Sequence, residues 1–137
     1  MPTKLDIRPT VGKHSALPIE RLRVLRSFDE VQLARMRRGV VFVFAAWSGS
    51  AVMGLQRFTK VMKSFDTRSL DLVVLDIDCL TEDSASQLFG VPSFTTGGWG
   101  ETLWIRDGRI VARELAHTAP EGLIEQHTKR LLDDNVA

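Results

Sequence analysis

The chain has 137 residues, of which 44% are apolar and 26% are charged. A chain of this length forms one ordinary domain with a substantial core, and its composition excludes a largely disordered protein. No segment approaches the roughly 20 consecutive apolar residues that span a bilayer, and residues 1–18 contain no apolar run of the signal-peptide type. The single cysteine, Cys79, excludes an intramolecular disulfide. We therefore expect a cytoplasmic protein with no membrane association.

The charge is unevenly distributed, although the net charge is only +1. Residues 1–40 contain nine Lys or Arg and four Asp or Glu, whereas the remainder contains nine and thirteen. Solvated faces explain this asymmetry. The alternative is a basic docking face made of Arg21, Arg23, Arg35, Arg37 and Arg38. The near-neutral total gives no indication of a nucleic-acid partner.

The first elements along the chain are a lead-in, a short strand and a helix. Residues 1–20 carry three prolines and no clear period, so they predict a loosely ordered N-terminal arm before a domain over residues 21–137. Residues 21–26 alternate polar and apolar side chains, which is typical of a half-buried strand. Ser27 and Glu30 fit a capping box, and they predict a helix that ends at Gly39.

The middle of the chain alternates buried strands with helices. Residues 40–46 are a continuous apolar run, which is typical of a strand buried on both faces. Residues 70–77 predict a second buried strand, and residues 84–89 a short helix. Between the strands, apolar residues at helical spacing predict a helix over residues 51–65; they are Val52, Leu55, Phe58, Met62 and Phe65.

The strongest local pattern is a hairpin in the last third of the chain. Two alternating runs, residues 102–106 and 109–114, flank Asp107-Gly108 and predict a tight antiparallel turn. Together with the preceding elements, this pattern predicts an α/β fold. Its mixed central sheet combines parallel strands with a C-terminal antiparallel hairpin, and helices cover both faces.

The final element is predicted to be a helix that runs to about Leu132. Residues 118–121 resemble a second capping box, with Pro120 in the first helical turn. The inward-facing residues of this helix are expected to be Leu123, Ile124, His127 and Leu131.

The apolar strand over residues 40–46 leads directly into Trp47-Ser48-Gly49-Ser50-Ala51 at the start of a long helix. This string and the order of elements resemble the thioredoxin family, in which the same place reads Trp-Cys-Gly-Pro-Cys. The likeness continues through residues 75–78, through residues 89–91 (Phe-Gly-Val, where the family often has Tyr-Gly-Val), and through the hairpin and the terminal helix. It covers roughly residues 20–133 and implies a thioredoxin-like fold.

The resemblance also implies that this chain is not a thiol–disulfide oxidoreductase. Redox chemistry in the family needs two thiols, the first of them with a lowered pKa at a helix N-terminus, and Ser48 and Ala51 stand at those two positions. The family's buried Asp aligns with Phe42, and its Lys partner aligns with Val74. Redox-inactive members of the superfamily act as chaperones, scaffolds and regulatory partners. We therefore expect a binding or adaptor module rather than an enzyme.

The family's cis-proline allows two alignments. In the first, Pro92 is the cis residue, and a long loop precedes the next strand. In the second, residues 92–98 are an insertion and Glu101 stands at the proline position. We favour the second alignment because it keeps the strand contiguous, and it predicts a trans peptide bond at Glu101 because cis bonds are rare away from proline.

The candidate binding residues cluster around the altered motif. Ser48 is expected to cap the helix, and a bound anion or peptide carboxylate is the alternative use of the same helix terminus. The string over residues 97–100, Gly-Gly-Trp-Gly, places an aromatic side chain on a glycine-rich loop nearby, either as a lid on its own domain or as a binding hot spot. We predict that a protein or peptide partner is recognised by Trp47, Ser48, Ser50, Val91, Pro92, Trp99 and Glu101.

We expect no metal and no other cofactor. The three histidines lack metal-ligand spacing, Cys79 is expected to be a structural thiol, and the acidic residues over 76–83 are expected to solvate a loop. Two other functions stay open. Some thioredoxin-fold transferases use a serine hydroxyl to stabilise a glutathione thiolate, and Ser48 occupies a comparable place. The small size also fits an inhibitory or immunity-type protein encoded in a bacterial operon.

Overall fold

The computed structural model describes residues 6–25, 35–79 and 100–133. The helix predicted over residues 84–89 lies outside these ranges, as does the capping box predicted at Ser27. Three residues of the predicted partner face also lie outside them; these are Val91, Pro92 and Trp99.

The described elements follow the predicted order. The strands are β1 (Arg23–Leu25), β2 (Arg38–Phe44), β3 (Asp71–Asp76), β4 (Glu101–Arg106) and β5 (Arg109–Leu115). The α-helices are α1 (Arg8–His14), α2 (Gly49–Lys63) and α3 (Glu121–Leu132), and single 3-10 turns lie at Ile19–Arg21 and Ile77–Cys79.

The strands form one mixed sheet in the spatial order β1-β3-β2-β4-β5. β3 pairs in parallel with both β1 and β2, whereas β4 is antiparallel to β2 and β5 is antiparallel to β4. Residues 40–44 of β2 are fully buried, because the centre of the sheet is covered on both faces. The prediction of a mixed α/β sheet with a C-terminal antiparallel hairpin is confirmed.

Helices α2 and α3 pack on one face of the sheet. The ring of Phe58 in α2 stacks on Phe42 of β2, with ring centroids 5.6 Å apart. On the α3 side, the indole Nε1 of Trp104 donates a hydrogen bond to Thr128 Oγ1 at 3.1 Å. These contacts define the face of the sheet toward which Phe42 and Trp104 point.

The hairpin turn has the conformation that its sequence predicts. Asp107 and Gly108 both have positive φ angles, 50° and 77°, as a two-residue turn between twisted strands requires. Their amides donate to the carbonyls of Arg37 and Met36, each at 2.8 Å. The turn is therefore hydrogen-bonded to the segment that leads into β2.

The expectation of a loosely ordered lead-in is wrong for residues 6–20. Helix α1 lies within this segment, and Ile7 and Val11 are buried in the core. The amide of Ala16 also donates to Thr59 Oγ1 of α2 at 2.9 Å. Two apolar residues four positions apart are too short a pattern to show helical periodicity, so packing against α2 decides the conformation.

The predicted helix end at Gly39 is also wrong. β2 already begins at Arg38, and Gly39 pairs with Asp71 of β3 and Ile105 of β4. A glycine after an amphipathic segment is a local stop signal for a helix. Here the hydrogen-bond ladders to strands on both sides extend β2 back past that signal.

The second capping box does not form. α3 begins two residues later than the pattern suggests, with Pro120 at the N-cap and no side-chain cap. The amides of Thr118 and Ala119 instead donate to the carbonyl of Leu115, at 3.1 and 2.9 Å. This turn holds Thr118 away from the helix start, so its hydroxyl cannot cap the helix.

Candidate functional site

The loop between β2 and α2 presents a tryptophan to solvent. Trp47 is 65% exposed, although Ala45, two residues earlier, is fully buried. The amide of Ser48 donates to the carbonyl of Ala45 at 3.0 Å, which closes a tight turn under the indole. The loop therefore projects Trp47 from a rigid base at the carboxyl end of β2.

Ser48 is the N-cap of α2, as predicted. Its φ and ψ angles are −110° and 120°, and its hydroxyl accepts a hydrogen bond from the Ala51 amide at 3.3 Å. The Ser48 carbonyl accepts from the Val52 amide at 3.1 Å, which is the first bond of the helix. The serine at the position of the family's first cysteine thus satisfies an otherwise unpaired helix amide.

Hydrophobic core lies beneath this helix start. Phe42 and Val74 are paired across β2 and β3, and both are fully buried. The Phe42 ring packs against the backbone at Gly54 and Gly100. Neither Phe42 nor Val74 can accept or donate a proton, and these are the positions at which the thioredoxin resemblance places an acid and a lysine.

A second loop, residues 116–119, is joined to α2 beside the tryptophan loop. The guanidinium of Arg57 donates to the carbonyl of His117 at 2.8 Å and to the carbonyl of Ala119. The amide of Ala116 donates to the carbonyl of Gly100 at 3.0 Å. Three chain segments that are far apart in sequence therefore meet at one end of the sheet.

A second large apolar side chain is exposed near the start of α2. Met53 is 52% exposed, and it lies three residues after Ser50, so the two side chains share a helix face. We call Trp47, Ser50 and Met53 the Trp47–Met53 strip. The sequence interpretation did not single out Met53, which lies outside the predicted apolar face of the helix; exposed large apolar side chains are informative only when they adjoin one another.

Glu101 is directed away from this strip. Thr102 and Trp104 point toward the helices, since Trp104 contacts α3, and alternate residues of a strand point to opposite faces. Glu101 therefore points to the other face, where it is only 4% exposed. The peptide bonds of the described residues are all trans, the one at Glu101 included. Because Pro92 lies outside the described residues, the choice between the two cis-proline alignments stays a prediction.

The structure thus brings together part of the predicted partner face. Trp47, Ser48 and Ser50 lie at the start of α2, and Met53 lies one turn further along the helix. Glu101 belongs to the opposite face of the sheet. In the basic docking face, Arg23 forms an ion pair with Asp71 at 2.7 Å, which compensates its charge. Arg21 donates to the neutral Thr67 Oγ1 at 2.6 Å and keeps its charge.

Among residues 6–25, 35–79 and 100–133, no three His, Cys, Asp or Glu side chains are grouped so that they could hold a metal ion. In the same part of the chain, no helix combines the length and apolar character needed to cross a membrane.

No protein-family model matches the sequence, and no curated protein matches it. Solved structures do match. Thioredoxin O2 from Arabidopsis thaliana in its oxidised state is similar, with a TM-score of 0.61 and 16% identity over 82% of this chain and 96% of that chain. A thioredoxin from Malassezia sympodialis has a TM-score of 0.59 and 16% identity, covering 79% of this chain and 89% of its own. Trxlp from Edwardsiella tarda has a TM-score of 0.56 and 20% identity, covering 77% and 96%.

These likenesses establish a thioredoxin-like fold. Within that fold, the chain lacks the Cys-x-x-Cys motif, because its single cysteine is Cys79 and Trp47-Ser48-Gly49-Ser50-Ala51 stands at the motif position.

Proposed function

We propose that this protein is a redox-inactive thioredoxin-like binding module that recognises a protein or peptide partner through the Trp47–Met53 strip. The observation that carries the proposal is the 65% exposure of Trp47 on a loop held by backbone hydrogen bonds. Tryptophan is among the residues that contribute most to interfaces, because it buries a large apolar area with little loss of side-chain entropy.

The proposed loss of redox activity rests on the single cysteine of the chain and on the serine at the position of the family's first cysteine. With one cysteine in the sequence, the chain cannot cycle between a dithiol and an intramolecular disulfide. The Ser48 hydroxyl caps the helix, and a hydroxyl neither ionises near neutral pH nor forms a disulfide. An insulin-reduction assay tests this part of the proposal, and turnover above that of buffer with dithiothreitol would overturn it.

Binding is favoured because the strip is presented in a fixed conformation. The Ser48 amide and hydroxyl bond to Ala45 and Ala51, so the loop is anchored on both sides of Trp47. The loop then loses little conformational entropy when a partner binds, which is the general advantage of a preorganised surface.

Trp47→Ala removes the exposed indole of the Trp47–Met53 strip. Because the indole is mostly exposed, the free energy of unfolding should change by no more than about 0.5 kcal/mol. Affinity for the partner should fall by about 2 kcal/mol or more, as at other interface hot spots. Wild-type and variant proteins are used in parallel to capture partners from native cells, and the affinity of any protein retained only by the wild type is then measured by calorimetry.

Val111→Ala is the matched control for that experiment. Val111 is also an exposed apolar residue, at 56%, but it lies on the edge strand β5. It should retain the same partners as the wild type. A partner bound equally by the wild type and Trp47→Ala would remove the strip from the binding site.

The glutathione hypothesis is tested on the same proteins. A transferase that uses Ser48 should bind glutathione, and Ser48→Ala should weaken that binding. No binding at millimolar glutathione would argue against the transferase and leave the peptide-binding proposal unaffected. The hypothesis of an immunity-type inhibitor stays a prediction, which the neighbouring genes would decide.

A further inference from the structure

A cavity opens on the other face of the sheet, away from the Trp47–Met53 strip. Its volume is about 220 Å³, and it is lined by Glu101, Thr102, Leu103, Arg113, Glu114 and Leu115. Small-molecule sites usually occupy about 300–1,000 Å³, so this cavity fits one side chain better than a cofactor. It lies between β4 and β5, and β5 is the last on that side of the strands that the structure describes.

Arg113 and Leu115 form the outer wall of the cavity. They are paired across the strands with Leu103 and Glu101, so all four side chains point to the same face. Leu115 is 41% exposed, and Arg113 is exposed as well. Within residues 6–25, 35–79 and 100–133, the Arg113 guanidinium has no hydrogen-bond or ion-pair partner. A free cation therefore lies beside an incompletely covered apolar surface.

The end of β5 is suited to pairing with another strand. A terminal strand carries backbone amides and carbonyls on its outer edge that no neighbouring strand in the sheet pairs. The pairing of β5 with β4 is irregular between Trp104 and Ile105, where Val111 is the extra residue. This bulge interrupts the strand, so the regular part available for pairing is residues 112–115.

We propose that residues 112–115 bind an extended peptide segment by antiparallel strand addition, with an apolar residue opposite Leu115 and an acidic residue two positions later, opposite Arg113. Charge complementarity selects the acidic residue, because its carboxylate would pair with the free guanidinium. Leu115, which is 41% exposed, selects the apolar residue. This proposal does not depend on the partner of the Trp47–Met53 strip.

The test uses two acetylated and amidated peptides, Thr-Leu-Thr-Asp-Thr and its matched counterpart Thr-Leu-Thr-Lys-Thr. Each is titrated to millimolar concentration into the ¹⁵N-labelled full-length protein. The Asp peptide should shift the amide signals of residues 101–103 and 112–115 and leave those of α2 in place. The Lys peptide should bind about tenfold more weakly, since it places a like charge opposite Arg113.

Arg113→Glu should reverse the preference for the Asp peptide, so that the Lys peptide binds about tenfold more tightly than the Asp peptide. Arg109→Glu is the matched control, because Arg109 is an exposed arginine of the same strand that lies before the bulge. It should leave both affinities unchanged. Thermal unfolding of both variants verifies that they remain folded, as expected for exposed side chains.

Three results would overturn the proposal. One is the absence of shifts in β4 and β5 with either peptide. Another is equal binding of the Asp and Lys peptides to the wild-type protein. The third is an equal effect of Arg109→Glu and Arg113→Glu, which would indicate attraction by overall charge rather than pairing at residues 112–115.

Discussion

At the scale of single residues, Phe42 shows how the interior beneath the helix start is built. Its ring is fully buried, stacks on Phe58 at an interplanar angle of 17°, and reaches the backbone of Gly54 and Gly100. The space at this end of the sheet is therefore filled with aromatic carbon. A carboxylate there would be desolvated without a compensating partner, which is costly in a packed core.

Gly54 is the residue that allows α2 to approach the loop over residues 116–119. A Cβ atom built at Gly54 would lie 3.2 Å from the His117 amide nitrogen and 3.4 Å from both Ala116 Cβ and Phe42 Cζ. The first of these atoms belongs to the backbone, which cannot turn aside as a flexible side chain can. The contact between helix and loop therefore depends on the absence of a side chain at this position.

We predict that Gly54→Ala destabilises the protein by about 1–3 kcal/mol, because the added methyl group overpacks this contact. Gly122→Ala is the matched control: the same change is made in α3, where nothing lies within 4 Å of the added carbon. It should stabilise the protein by about 0.4–1 kcal/mol through reduced entropy of the unfolded chain. Urea denaturation measures both. Equal stability of the two variants would contradict close packing at Gly54.

At the scale of elements, α3 is fixed to the sheet by polar as well as apolar contacts. Thr128 is fully buried, and its hydroxyl accepts from Trp104 Nε1 and donates to the Ile124 carbonyl at 2.9 Å. The guanidinium of Arg106 donates to the carbonyls of Arg130 and Leu131, at 2.7 and 3.0 Å, at the end of the helix. A third bond runs from Arg106 to the carbonyl of Asp133 at 3.3 Å. The hydrogen bond inside the core and the three at the helix terminus thus set how α3 lies on β4.

Thr128→Val should destabilise the protein by about 1–3 kcal/mol, because the isosteric side chain leaves the buried Trp104 N–H without an acceptor. Thr128→Ser keeps the hydroxyl and is the matched control; it should lose less stability than Thr128→Val. Guanidinium denaturation followed by tryptophan fluorescence measures both. If Val at position 128 were tolerated better than Ser, packing of the methyl group rather than the hydrogen bond would hold the helix.

At the scale of the whole molecule, the segment before β1 is part of the folded unit. Ile7 and Val11 belong to the same buried cluster as the central strands, and α1 lies against α2. A polar contact joins the same two helices, since Gln56 Nε2 lies 3.3 Å from His14 Nδ1. The thioredoxin-like core and this N-terminal segment therefore share one hydrophobic core.

A truncated chain that begins at Arg21 should lose several kcal/mol of stability, at about 1.5–3 kcal/mol for each fully buried Ile or Val side chain. Arg8→Ala in the full chain is the control, because Arg8 is exposed, and its effect should stay within about 0.5 kcal/mol. Guanidinium denaturation compares the three proteins. A truncated chain as stable as the full chain would show that residues 1–20 are an arm after all.

The elements that could be predicted from sequence are those whose signals are local. The apolar run that forms β2, the helical spacing in α2 and the Asp107-Gly108 turn each specify their conformation over a few residues. Ser48 was predictable as a cap for the same reason, since a serine before an amphipathic helix satisfies the first free amides. The order of these elements was enough to indicate the fold class.

The candidate site could be predicted only in part. Trp47, Ser48 and Ser50 are neighbours in the chain, so their proximity follows from sequence. Met53 is added to the candidate site because its side chain on α2 is exposed. Glu101 is removed from it because the register of β4 directs its side chain to the opposite face of the sheet. Neither exposure nor register is encoded in a short string of residues.

By itself, then, the sequence determined the order of strands and helices, the turn of the hairpin, the helix cap at Ser48 and the absence of a second cysteine. The tertiary structure alone decided that Gly39 belongs to a strand, that residues 6–20 are packed, and that α2 meets the loop over residues 116–119 at Gly54. The physical reason is the range of the forces involved. Backbone propensity and periodicity act within a few residues, whereas burial and strand pairing join residues that are tens of positions apart.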